Sequence, residues 1–101
     1  MGGPIQPPGH VQTLVRLIDY RMNPQAVLDA PRWKVNAGRS IDLEAAASPE
    51  LRAGLPALGH TMASRSRISY MDFGAGQFIV RTDDGYVAAS DPRRDGQAAG
   101  F

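Results

Sequence analysis

Hydrolytic or acyl-transfer chemistry needs a nucleophile, a base and donors for a developing oxyanion. The sequence offers serines, threonines and two histidines, His10 and His60. Neither histidine lies in a recognisable nucleophile motif, and Gly-x-Ser-x-Gly is absent. His10 falls at an expected helix start, and His60 follows Gly59 at an expected helix end, where an imidazole can cap carbonyls. Both are read as structural. Gly2-Gly3 is different in kind. Adjacent glycines allow close backbone approach to a ligand, and two backbone amides suffice for an oxyanion hole with no side-chain signature. From the residues alone, a flexible terminal pair is the plainer reading.

The other constellations are weaker. Gly74-Ala75-Gly76 lacks the third glycine of a dinucleotide loop and precedes an expected strand rather than a helix, so it carries no phosphate site. The pairs Asp83-Asp84 and Asp42/Glu44 read as a turn and exposed strand positions, without specific support for acid–base work. Arg65 and Arg67 with Tyr70 suggest a solvated strand face more than a nucleic-acid surface. Two histidines fifty positions apart, with no cysteine, make a weak metal case. No metal and no cofactor is therefore expected.

Composition narrows the class further. The chain has 101 residues, 11 basic against 10 acidic, and a formal net charge of +1. That balance argues against a strongly basic nucleic-acid binder. Absence of Cys excludes disulfides and thiolate metal sites. No apolar run approaches the roughly 20 residues that cross a bilayer, and the first residues lack the basic start and apolar stretch of a signal peptide. Neither nucleic acid nor membrane is an expected partner. Ten of the basic residues are Arg, which by itself specifies no partner.

Elements must place these residues. The first nine residues hold three Gly and three Pro and read as an irregular lead-in. Val11, Leu14, Val15, Ile18 and Met22 predict an amphipathic helix over 10–22. Asn23-Pro24 signals a second, short helix to Asp29, ended by Pro31. Residues 32–35 and 40–44 alternate around an Asn36-Ala37-Gly38-Arg39 turn and predict a hairpin. Ser48-Pro49-Glu50 opens a helix with a Leu51, Leu55, Leu58 stripe that ends at Gly59, kinked or split by Gly54 and Pro56. Thr61–Arg67 suits an edge strand that Ile68–Phe73 continues. Gln77–Thr82 and Tyr86–Ser90 flank an Asp83-Asp84-Gly85 turn. The fold expected is a single α+β domain over 1–101, helices packed on a mostly antiparallel sheet.

Ordered motifs then add a resemblance. The run Met1-Gly2-Gly3-Pro4-Ile5-Gln6-Pro7-Pro8-Gly9-His10-Val11-Gln12 resembles the γ-glutamyltransferase (γ-glutamyltranspeptidase) family, above all its acylase-like and bacterial branches. Asn23-Pro24-Gln25-Ala26 through Asp29-Ala30-Pro31-Arg32, then Leu58-Gly59-His60, Phe73-Gly74-Ala75-Gly76-Gln77, and the Ser90–Gly100 signature follow in the family's order. The common branch has Ser-Pro before the glycines where this sequence has Met1.

The resemblance implies a part of an N-terminal-nucleophile hydrolase αββα sandwich: the C-terminal segment of the small subunit. Family members expose a Thr by self-cleavage. That Thr attacks a γ-glutamyl amide, and water or an amine acceptor resolves the acyl-enzyme. No counterpart of the Thr is present, so the chain is expected to be inactive alone, its partner being the remainder of the enzyme. Gly2 and Gly3 align with the oxyanion glycines. The competing expectation is a standalone module that self-associates or docks a partner through apolar surface on the 10–22 helix and the Phe78–Val80 strand. Glutathione, cephalosporin side chains and poly-γ-glutamate remain open as acyl donors, and a bacterial cytoplasm or periplasm as compartment.

Overall fold

The computed structural model of the chain describes residues 3–63 and 70–100. Helix α1 spans Gln6–Leu14 and continues as a π-helical turn over Val15–Asp19. The expected helix over 10–22 is thus shifted toward the N-terminus, and the Pro-rich lead-in is partly helical. Pro7 sits in the first turn, where a missing N–H breaks no intrahelical bond. At the other end the ladder widens, Tyr20 N–H donating to Val15 O at 3.1 Å, and Arg21 turns left-handed at φ +50°.

Helix α2 (Pro24–Asp29) starts as the sequence indicates, with the Asn23 side chain accepting from Gln25 N at 2.9 Å. Strands β1 (Trp33–Ala37) and β2 (Ser40–Leu43) form the antiparallel hairpin, with Trp33 opposite Leu43 and Val35 opposite Ile41. A bulge beside Ala37 and a left-handed Gly38 (φ +54°) close its turn. Helix α3 (Pro49–Ala57) is capped by Ser48, whose Oγ accepts from Leu51 N at 3.2 Å. It is one helix rather than two turns. Pro56 lies in its last turn, and Gly59 at φ +84° ends it.

Strand β3 (Thr61–Met62) runs parallel to β2, which becomes the central strand of a three-stranded sheet. The rest of the expected 61–67 strand lies largely outside the described residues. The continuation through Ile68–Phe73 is corrected where it is described: Tyr70–Phe73 form a 3-10 turn. Strands β4 (Gln77–Thr82) and β5 (Gly85–Ser90) make a separate antiparallel hairpin. The fold is α+β with mostly antiparallel pairing, as expected.

Helix α2 packs against both strands of the β4–β5 hairpin. The core joins Val27 and Leu28 of α2 with Ile41, Leu43, Ala47, Phe73 and Ala89. Gly76, just before β4, packs closely on α2: a Cβ there would sit 3.0 Å from Leu28 Cδ2. Helix α1 reverses expectation. Its stripe residues Val11, Leu14 and Ile18 are exposed, Ile18 by 63%, whereas Gln12 is buried. Gln12 reaches β1 instead, donating to Trp33 O at 2.9 Å and accepting from Trp33 N at 3.0 Å.

Candidate functional site

Gly3 precedes α1 with φ +86°, a left-handed conformation that L side chains rarely adopt. A Cβ there would meet nothing within 4 Å, so backbone conformation rather than crowding requires the glycine. Gln6 N–H donates to Gly3 O at 3.1 Å and ties the residue to the helix start. Gly2 lies outside the described residues, as do Arg65 and Arg67.

A cleft of about 280 Å³ opens along the first turns of α1. Ile5, Gln6, His10 and Thr13 line one side, and Phe73–Phe78 with Arg32 line the other. His10 Nδ1 lies 2.7 Å from Gln6 O, and because a carbonyl only accepts, Nδ1 carries the proton. His60 is half-buried in the α3–β3 connection and does not line this cleft. The structure therefore does not bring the two histidines to one site. Among the described residues no cluster of three or more His, Asp or Glu is placed to hold a metal ion.

The cleft floor rests on a buried ionic cluster. Asp91, whose side chain is fully buried, accepts from Arg32 Nη2 at 2.5 Å and Gly76 N at 2.8 Å through Oδ2. Its Oδ1 accepts from Arg93 N at 2.9 Å and Arg93 Nη1 at 3.1 Å. Arg32 Nη1 donates to Phe73 O at 3.0 Å. Arg93 donates to Glu44 through Nε (2.6 Å to Oε1) and Nη2, to Leu28 O at 2.6 Å, and to Ala30 O at 3.2 Å. It thereby caps carbonyls at the C-terminal end of α2. Glu44 also accepts from Arg32 N at 2.7 Å.

Burial alone would raise the Asp91 carboxyl. The Arg93 and Gly76 amides and the Arg32 guanidinium outweigh it and hold Asp91 below its usual range. Hydrogen bonding to Glu44 raises Arg93 against the effect of its burial. Arg16, donating to Pro31 O at 2.5 Å, is lowered by burial and by the charges of Arg32 and Arg93.

Asp91 and Arg93 thus pair within the closing turn. Their partners Arg32 and Glu44 were not legible, because they lie 59 and 49 residues away in sequence. The reading of Asp42/Glu44 as exposed strand positions is corrected. Asp42 is 1% exposed, and Glu44 is the Arg93 partner. Asp83-Asp84 does form the β4–β5 turn.

The profile of the γ-glutamyltranspeptidase family matches residues 1–101. The chain belongs to the γ-glutamyltranspeptidase family. It thereby falls within the N-terminal-nucleophile hydrolase superfamily. The structure is similar to a cephalosporin acylase from Bacillus halodurans, with 38% identity and a TM-score of 0.88, over 100% of this chain and 19% of the acylase chain. A γ-glutamyltranspeptidase from Pseudomonas nitroreducens (22% identity, TM-score 0.82) matches 100% of this chain and 52% of its own. The transpeptidase CapD from Bacillus anthracis (20% identity, TM-score 0.79) matches 100% of this chain and 60% of its own. These last two show the shared fold alone. The chain thus spans about a fifth of the acylase chain and between half and two-thirds of the others. No curated protein sequence matches the chain at a significant level.

Proposed function

We propose that this chain forms the C-terminal portion of the small subunit of a γ-glutamyltransferase- or acylase-like enzyme. In it, Gly2 and Gly3 present backbone amides to the oxyanion formed when an upstream Thr attacks a γ-glutamyl amide. The observation that carries this is the family match along residues 1–101, together with 38% identity to an acylase over the whole chain. The left-handed Gly3 supports it, because a residue already held in an unusual backbone conformation can aim an amide without reorganising during reaction. No side chain at Gly2 or Gly3 blocks approach of the tetrahedral centre. The negative oxygen then accepts from amide N–H groups, and the leaving amine departs after protonation.

The nucleophile resides upstream, so the chain alone is inert. Incubation with a γ-glutamyl anilide should release amine only when the Thr-bearing upstream part and large subunit are supplied. Turnover by the chain alone would overturn this reading. A second reading, a self-associating or partner-docking module, is favoured by the exposed Val11, Leu14 and Ile18 on one stripe of α1. Light scattering of the chain separates the two: a monomer at high concentration counts against self-association.

A further inference from the structure

The buried Asp91 carboxylate is far in sequence from Gly3, yet only a short series of contacts separates them. Asp91 Oδ2 accepts from Gly76 N at 2.8 Å and from Arg32 Nη2 at 2.5 Å. Arg32 in turn donates to Phe73 O at 3.0 Å. One ion pair therefore grips the Phe73–Gly76 turn at both ends, by its first carbonyl and its last amide. The middle of that turn is Gly74, left-handed at φ +70°. The face of Gly74 where a Cβ would stand lies 3.5 Å from Ile5 Cγ2. Ile5 follows Gly3 and Pro4, and the Gly3 carbonyl is itself bonded to Gln6 N.

We propose that Asp91 is a positioning residue for Gly3, holding the Phe73–Gly76 turn as the platform on which Ile5 seats the glycine segment. The inference rests on the reading of Gly3 as an oxyanion donor. Physically, a donor amide aids catalysis only if it is already aimed at the developing charge, and a glycine has no side chain of its own to aim it. Asp91 provides the rigid end of that support. It is fully buried and accepts four hydrogen bonds, leaving little freedom to the turn it grips.

The chain alone gives a structural test. Ile5→Ala, which leaves the buried ion pair intact, should accelerate amide exchange at Gln6 at least tenfold while exchange at Gly76 stays unchanged. Asp91→Asn should accelerate exchange at both. In the enzyme assembled with its upstream part, each variant should lower kcat about tenfold or more with KM unchanged, since misplacement remote from the reacting atoms acts on the transition state. The double variant should be no slower than the slower single one, because both changes act through one path. Should Asp91→Asn fail to fold, Ile5→Ala decides alone. Unchanged Gln6 exchange in Ile5→Ala overturns the inference, and so do additive losses of kcat. A wild-type assembly that releases no amine overturns the functional reading, and the exchange result still decides whether Asp91 holds the Gly3 segment.

Discussion

Two regions of the chain spend polar and apolar residues in opposite ways. Around Asp91, a small interior is held by charge: Arg32, Asp91, Arg93 and Glu44 tie the end of α2, the start of β1, the Phe73–Gly76 turn and the closing segment together. Along α1, apolar Val11, Leu14 and Ile18 face outward while polar Gln12 is buried against β1. An isolated domain normally does the reverse, because burying a charge costs several kcal/mol unless its hydrogen bonds are complete, whereas burying an aliphatic side chain contributes about 1.5–3 kcal/mol. The difference teaches that the helix face is shaped for something other than this chain's own core. The ionic cluster, by contrast, is complete within the chain.

The contrast can be broken most severely at Arg93. Its guanidinium makes five hydrogen bonds, to Glu44, Asp91, Leu28 and Ala30. Arg93→Ala leaves Glu44 without its charged partner and takes one of two guanidinium partners from Asp91, and should lower stability by about 3–5 kcal/mol, read from urea unfolding. Gln12→Ala comes next. It removes the bonds to Trp33 O and N and to Pro8 O, and should cost about 1–3 kcal/mol. Ser48→Ala removes one helix cap, with an expected loss of about 1 kcal/mol. On the outward face, Leu14→Glu or Ile18→Glu should change the stability of the chain by less than about 0.5 kcal/mol. A large loss there would mean that α1 buries its stripe after all.

Acid sharpens the same comparison. Asp91 is held below its ordinary value of 3.8, so its contribution is fully present above that pH and is lost as pH falls through the folded value. Unfolding followed between pH 6 and pH 2 should show a decline in stability that is shallower in Asp91→Asn. The Leu14→Glu variant, altered only on the outward face, should retain the Asp91-dependent part of that decline.

Local elements were the legible part of this fold. Asn23-Pro24 and Ser48-Pro49 each mark a helix start through a cap that needs only neighbouring residues. The Asp83-Asp84 hairpin and the Gly59 stop are equally local. Misreadings arose where distant chain decides. The prolines ahead of His10 suggested irregular chain, yet Pro7 and Pro8 occupy the first turn of α1. Asp42 alternates as an exposed strand residue, yet the folded chain buries it. As for the site, the type of Gly3 is legible in the sequence, while its left-handed φ is a fact of the structure. The buried cluster of Asp91 with Arg32 and Gly76 had no local signature.

By itself the sequence determined the capped helices, the two hairpins, the α+β class and, through five ordered motifs, the family. Each depends on neighbouring residues or on motif order, and both are written along the chain. Only the tertiary structure decided which face of α1 turns inward, which carboxylates are buried, and that Asp91 grips the Phe73–Gly76 turn. Those outcomes depend on which surfaces cover which, and on electrostatic partners dozens of residues apart. No local spacing encodes them.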